Sequence, residues 1–485
     1  MILAIWCFSP DIWYDESCSL NIIRHDWSTL ISETIEYDVH PPLYYVLLKL
    51  FVGVGCRVFS PGLNIVFAKL LSFAAVFCCT LLVVVKIRQQ HHSMTAAMIC
   101  ALGMCAVPSC LIFALEIRMY ALSYFFVTAC YLWAWDVMTS NRVRDWILFC
   151  LFGLLAAYTH YFSCIAIAYI NLVVFLHVLL RRREFLKRWI CYIVGFVLCY
   201  SPWLVLVTLN QAQHVQESWW VEPITSKEII SSLWFICHNK LLVAVTFMGI
   251  TVVLFRRLVI RKPSRLKNCY LLLGISLPIV LIATSLLISW LFQPALVNRY
   301  VFPGGGAAWI AMVLGVYAAL GETGAGKLRC RAWQVLCVLL SVTIAKGIIR
   351  YSKQKYSAQI AVEEFIGQTN NDAQAAILFA TPFDANPYMV IVGKECYVWN
   401  PSHKSTPLTI FDAVSGVLSS EEELRELQAR GMTLYAAVDE TSKTYPLSFF
   451  SNSSLELHPC YSSGTEDKHP IQWGNLTLFR VELKE

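Results

Sequence analysis

Charge is what this chain has least of. Only 14% of its 485 residues are Asp, Glu, Lys or Arg, while 57% are hydrophobic. Soluble domains carry roughly a quarter charged residues, far more than this chain does. Metal-binding cysteine spacing is missing too: the chain has 19 cysteines, yet none forms a CxxC pair. Most sit inside apolar stretches, as Cys78 and Cys79 do, where a thiol behaves as a small hydrophobe. Cys18, Cys56, Cys396 and Cys460 lie outside them, and a Cys396–Cys460 disulfide is allowed but not demanded. A basic stripe is also absent. The net charge of +6 comes from short Lys/Arg clusters between apolar segments, which is how cytoplasmic loops look and not how a nucleic-acid face looks. No signal peptide is indicated, because there is neither a basic n-region nor a small-residue cleavage site.

What is there is hydrocarbon-length apolar sequence. Mean hydropathy is +0.58, and stretches near the ~20 residues of a membrane-crossing helix recur from the start to about Ile349. Such segments must satisfy their own backbone hydrogen bonds and are therefore helical. Sixteen Trp and 22 Tyr suit a protein with many bilayer interfaces. Basic residues cluster at Lys86 and Arg88, Arg142 and Arg144, 181–188, 256–267 and 327–331. Placing every cluster in the cytoplasm predicts spans near 64–85, 94–113, 118–138, 145–158, 161–180, 189–208, 234–255, 269–292, 300–320 and 333–349. The run Leu43–Val58 then cannot cross, and lies in the external interface or re-enters. The 145–180 stretch reads as two short helices joined near His160. Residues 1–10 cover about half of the usual ~20-residue span and read as the tail of a first transmembrane helix. The loops at 11–63, 114–117, 209–233 and 293–299 all fall outside, with everything after Arg350.

Carboxylates beside a bilayer are costly and are kept mostly where they act. Trp13-Tyr14-Asp15-Glu16 opens the first external loop. The same loop carries Asp38-Val39-His40-Pro41-Pro42-Leu43-Tyr44-Tyr45, in which two prolines fix the backbone that presents Asp38 and His40. The alternative for Asp15 and Glu16 is an acidic helix N-terminus favoured by the dipole. Glu116-Ile117-Arg118-Met119-Tyr120 stands at an external helix entrance, where Arg118 offers a forked donor for a phosphate or simply snorkels. Tyr158-Thr159-His160-Tyr161-Phe162 forms an external aromatic turn. Polar 211–220 follows Ser201-Pro202-Trp203 and ends in Trp219-Trp220, suited to sugar contact or to interfacial anchoring. Asn298-Arg299-Tyr300-Val301-Phe302-Pro303 precedes a late span. Gly321 to Lys327 has P-loop spacing, but Leu328 stands where Ser or Thr is required, so a cytoplasmic turn is the reading.

Taken in order, these blocks resemble the polytopic GT-C glycosyltransferases, in particular the bacterial branch related to protein O-mannosyltransferases and the aminoarabinose transferase. The resemblance covers roughly residues 11–320. It implies a polytopic α-helical membrane fold of about 11 transmembrane helices, counting the partial first one. The expected domains are 1–350, the transmembrane glycosyltransferase part with first external loop 11–63, and 351–485, a small external α/β domain. It implies transfer of a sugar from a polyprenyl-phosphate donor, on the external face of the cell membrane, to a glycan, lipid or protein acceptor, with inversion. Asp15 is the implied base, with Glu16 tuning it. Arg299 and Arg118 would hold the donor phosphate, and Asp38, His40, Tyr44, Tyr120, His160 and Tyr300 would bind substrate. The resemblance fixes no cofactor; a divalent metal is left open, because Asp38 and His40, two apart, allow ligation without demanding it. The rival class is a flippase or transporter of a lipid-linked glycan. It predicts paired halves with broken helices, and no such repeat is visible.

Residues 351–485 change character. Short apolar runs at 375–380, 388–392, 434–438 and 476–481 flank a charged helical stretch at 421–430, a mixed α/β pattern without a catalytic motif.

Overall fold

The computed structural model describes residues 2–36, 38, 40–217, 223–237, 251, 265–321, 326–370, 372–400, 412–439, 450, 455–462 and 476–483. The chain is a polytopic helical membrane protein. Among the described residues seven helices are long and apolar enough to cross a membrane: Asn64–His91, Tyr120–Thr139, Tyr161–Arg181, Arg183–Leu206, Cys269–Leu291, Asn298–Tyr317 and Trp333–Tyr356. Packing divides the chain into two compact units.

One unit comprises Ile31–Leu50 and Lys69–Ile349. Some features differ from the sequence reading and others agree with it. The span expected over 94–113 is broken into Met94–Cys105 and Pro108–Phe113, because Pro108 has no N–H and starts a fresh helix. The 145–158 segment is a helix, Val143–Ala157, of only 15 residues. The paired short helices do meet near His160, which begins Tyr161–Arg181. Leu43–Val58 is a separate 16-residue helix and is not among the candidate spans. The loop expected from 209 begins later, since one helix runs Leu186–Glu217. Trp219 and Trp220, and most of the 234–255 span, lie outside the described residues. Gly306 explains one tight crossing: a Cβ there would stand 2.1 Å from the Thr128 hydroxyl and 3.2 Å from Tyr124. Only glycine lets the helix Gly305–Gly321 approach Tyr120–Thr139 this closely.

The other unit comprises Met1–Leu30, Phe51–Ala68 and Arg350–Glu485. The boundary expected at 350 coincides with no helix end, because a single 45-residue helix runs Gly326–Asn370. Beyond it lies a six-stranded mixed sheet of order β3-β2-β1-β4-β6-β5. Its strands are β1 Ala375–Phe379, β2 Cys396–Trp399, β3 Gly416–Leu418, β4 Thr433–Asp439, β5 Leu455–Ser462 and β6 Leu476–Leu483. β1 pairs in parallel with β2 and β4, and β2 with β3, whereas β6 runs antiparallel to β4 and β5. All five β1 residues are buried, as expected where both sheet faces are covered. Ala376 and Leu378 pack with Leu424 and Leu427 on one face, while Ile377 and Phe379 pack with Val362, Phe365 and Tyr388 on the other, the two-residue alternation of a strand. The apolar run 388–392 is the end of the helix Pro382–Val392 and not a strand. The charged helix Glu421–Ala429 is opened by a Ser420–Glu423 capping box.

Candidate functional site

In the helical unit, three chain segments far apart in sequence are drawn to one place. The Pro41-Pro42 segment is tied to the turn before Tyr161 by Leu43 N–H donating to the Tyr158 carbonyl at 3.2 Å. Tyr158 is in turn fixed by its hydroxyl, which donates to the Cys199 carbonyl at 2.6 Å. His160 is the N-cap of Tyr161–Arg181: its backbone is extended and its Nδ1 accepts the Phe162 N–H at 3.2 Å. A third segment, Asn298–Val301, is anchored by Asn298, which accepts from the Ser232 hydroxyl at 2.7 Å and donates to Ser231 at 2.9 Å.

These anchors assemble a ring of aromatic and basic groups around His160. The His160 ring centroid lies 5.5 Å from that of His40, 5.8 Å from Tyr120 and 5.1 Å from Tyr300. Tyr300 stacks on Phe162 at 4.8 Å. The Arg299 guanidinium stands 5.8 Å from the Tyr120 ring centroid. Arg118 is buried at the entrance to the helix beginning at Tyr120. Asp38 Oδ1 meets His40 Nδ1 at 2.9 Å, with both side chains at most one-tenth exposed. Tyr44 is fully buried one step back, its ring 5.4 Å from that of Tyr45.

The electrostatics follow from this packing. Burial pushes the Asp38 carboxyl up, but His40, the Tyr45 hydroxyl and Arg118 outweigh it and hold the group below the usual aspartate value. Asp38 is therefore ionised and can only accept, so the proton it shares with His40 sits on His40 Nδ1. His160 goes the other way: burial first, then the charges of His40, Arg118 and Arg299, hold its pKa well below the ordinary histidine value. Asp38, His40, Arg118, Tyr120, His160, Arg299 and Tyr300, all singled out in the sequence, are thus brought together, with Tyr44 behind them. Tyr45, which adjoins Tyr44 in the same block, joins them through its hydroxyl bond to Asp38. Asp38 and His40 engage each other, and among the described residues no group of three or more His, Cys, Asp or Glu is placed to hold a metal.

Asp15 and Glu16 belong to the other unit. They occupy the first turn of the helix Tyr14–Ile22. Glu16 is buried, and its Oε2 accepts the Trp13 N–H at 3.0 Å, half of a capping box. Asp15 is half-buried, and its carbonyl accepts from the Ser19 hydroxyl at 2.9 Å. Around them lie partners that no local pattern announces. Asp11, buried, pairs with Lys355 at 2.5 Å, and the Ser9 hydroxyl donates to it as well. The Tyr14 hydroxyl donates to Asp412 at 2.9 Å, and the Trp6 indole N–H donates to Ser352 at 2.7 Å.

Comparison with known proteins adds the fold. No protein-family model matches the sequence, and no curated protein matches it. Two solved structures of ArnT from Cupriavidus metallidurans are similar in structure. The apo form superposes with a TM-score of 0.58 at 13% identity, covering 98% of this chain and 96% of that one. The form bound to undecaprenyl phosphate gives 0.55 at 13% identity, covering 99% and 96%. At this identity the likeness is one of fold.

Proposed function

We propose that this protein is a membrane glycosyltransferase that moves a sugar from a polyprenyl-phosphate donor to an acceptor hydroxyl. The observation that carries the reading is the convergence of Arg118, Arg299, His40, His160, Tyr120 and Tyr300 on one cluster, from segments that the sequence separates by up to about 260 positions. Guanidiniums bind phosphate oxygens through paired, charge-assisted hydrogen bonds. Arg118 and Arg299 hold the donor phosphate and stabilise the negative charge that grows on it as the bond to the anomeric carbon breaks. A lipid phosphate stays in the bilayer, which is why sugar chemistry of this kind is housed among membrane helices. The ArnT structure that contains undecaprenyl phosphate supports a donor of this class. Asp15 takes the acceptor's proton as its oxygen attacks, and a single displacement inverts the anomeric centre. Glu16 holds the helix end from which Asp15 projects. The catalytic face and the α/β part at 351–485 lie outside the cell membrane in this reading, which the positions of the basic clusters support.

The test is transfer of labelled sugar in membranes carrying the wild type, Asp15→Asn or Arg299→Ala, with polyprenyl-phosphate sugars as donors. Transfer by the wild type and near-complete loss in folded Asp15→Asn supports the reading. Equal activity in Asp15→Asn removes that base. Absence of wild-type transfer with any donor, together with lipid translocation in liposomes, replaces the transferase by a flippase.

A further inference from the structure

The two histidines of the cluster are not equivalent, and their hydrogen bonds say how. His160 sits at a helix N-cap, a position that needs an acceptor for an orphan backbone N–H. Its Nδ1 supplies that acceptor to Phe162 at 3.2 Å, so Nδ1 carries no proton. A neutral ring must then carry its proton on Nε2. His40 is the mirror case. Its Nδ1 faces the Asp38 carboxylate at 2.9 Å and is the donor. Among the described residues, neither Nε2 makes a hydrogen bond to the protein, although His160 is only 2% and His40 only 7% exposed. A donor N–H on a ring this enclosed, with no protein partner among the described residues, points to a ligand that supplies one.

The surroundings of His160 choose that ligand. Arg118 and Arg299 are close enough to depress its basicity, and burial depresses it further. A third cation beside two guanidiniums would be expensive, whereas a neutral donor adds a hydrogen bond without adding charge. We propose that His160 is a neutral Nε2–H donor to a phosphoryl oxygen of the polyprenyl-phosphate donor, acting beside Arg118 and Arg299 on the phosphate that becomes the leaving group. This rests on the transferase reading. No proton is transferred: the hydrogen bond shortens as the bond between the anomeric carbon and the phosphate oxygen breaks and charge gathers on the phosphate. The helix cap fixes the tautomer in advance, so the donor is aimed before substrate arrives.

Two substitutions separate this role from simple capping. Asparagine reproduces the Nδ1 acceptor and is a good N-cap, but it has no group at the reach of Nε2. Glutamine places an amide N–H near that reach and caps poorly. The full-length protein is purified in nanodiscs as wild type, His160→Asn and His160→Gln, and binding of undecaprenyl phosphate is measured with sugar transfer. The expected result is that His160→Asn unfolds at the wild-type temperature yet binds undecaprenyl phosphate about tenfold to a hundredfold more weakly, the usual worth of a hydrogen bond to a charged group. Its kcat falls while the acceptor KM is unchanged, and His160→Gln keeps more of both binding and kcat than His160→Asn. Wild-type binding in His160→Asn overturns the proposal and leaves His160 as a cap. Inorganic phosphate that competes with the lipid at equal concentration overturns the lipid assignment. The binding arm decides the role of His160 even where no donor supports transfer, so failure of the transferase reading remains distinguishable from failure of this one.

Discussion

The two units treat their ionisable side chains in opposite ways. In the unit that holds the sheet, the polar groups around the helix Tyr14–Ile22 end on protein partners: Asp11 on Lys355, Asp412 on Tyr14, Glu16 on the Trp13 N–H. In the helical unit, Arg118, His160, Arg299 and His40 cluster together, and among the described residues the two imidazoles spend only their Nδ1 atoms on hydrogen bonds to the protein. One arrangement fixes a helix; the other, in the proposed function, turns the two ring Nε2 atoms toward substrate. Within the helical unit the contrast repeats, since Lys86 is paired with Asp136 and rests 4.4 Å from the Trp133 ring, with Gln90 donating to the same carboxylate. That pair joins two membrane helices and offers nothing outward.

The largest expected effect breaks the structural side. Lys355→Met leaves Asp11 buried without its cation, which typically costs about 3–5 kcal/mol. Replacing both, as Asp11→Leu with Lys355→Met, removes the stranded charge and returns most of that loss. Unfolding of the two variants and the wild type in detergent measures the difference. A single variant as stable as the wild type would show that the pair does not frame the Tyr14–Ile22 helix.

Next comes the binding side. Arg299→Ala lowers kcat about 10²- to 10³-fold, the usual loss when one donor to a developing anion is removed, and leaves thermal stability near that of the wild type. If instead stability drops and the residual activity per folded molecule is normal, Arg299 belongs with Lys355 as a structural cation. A smaller effect is read through pH. His160 has a folded-state pKa below its unfolded value, so as pH falls the unfolded chain takes up the proton first. The stability this ring confers is full above the unfolded value of about 6.5 and declines below it, by up to about 1.4 kcal/mol per pH unit. His160→Asn does not titrate there, while Asp38, His40, Arg118 and Arg299 face the position in both proteins. The wild type should therefore lose stability relative to His160→Asn from about pH 6.5 to about pH 5; parallel curves would mean the ring is protonated in the folded state.

Much of the cluster was legible because its residues come in short blocks with local causes. Prolines 41 and 42 mark where a helix must restart, His160 falls between two apolar runs each too short to be the whole 145–180 stretch, and Arg299 precedes the helix entrance at Pro303. The 16-residue length of Leu43–Val58 and the order of the basic clusters already argued against a crossing there. What was not legible has physical reasons too. Asp11 and Lys355 are 344 positions apart, and an ion pair over that distance leaves no periodic trace. The run 388–392 is apolar and short, which suits a buried strand and a buried helix end equally. The helix Gly326–Asn370 ignores the composition change at 350 because polarity alone does not end a helix; a cap, glycine or proline does. Pro108 was the visible exception, a breaker inside a stretch read as one span.

The finest test of the contrast is Tyr14. Its hydroxyl donates to Asp412 at 2.9 Å, its ring lies 4.5 Å from that of Phe383, and burial raises its phenol pKa, so it stays protonated. Tyr14→Phe keeps the ring contact and removes one hydrogen bond. Asp412 is only half-buried, and water can take the vacated place, so the loss should be about 1 kcal/mol and not the larger cost of a stranded charge. Yet Tyr14 adjoins Asp15 in the chain, so the same variant asks whether the helix merely needs to be held or whether its polar groups take part in transfer. If they only hold it, sugar transfer by Tyr14→Phe stays within about twofold of wild type once corrected for folded protein, because a hydrogen bond of this worth shifts the folded fraction little in a protein of ordinary stability. A fall in kcat of a hundredfold with the unfolding temperature unchanged would move Tyr14 from the framing groups to the reacting ones, and with it the division between the two units.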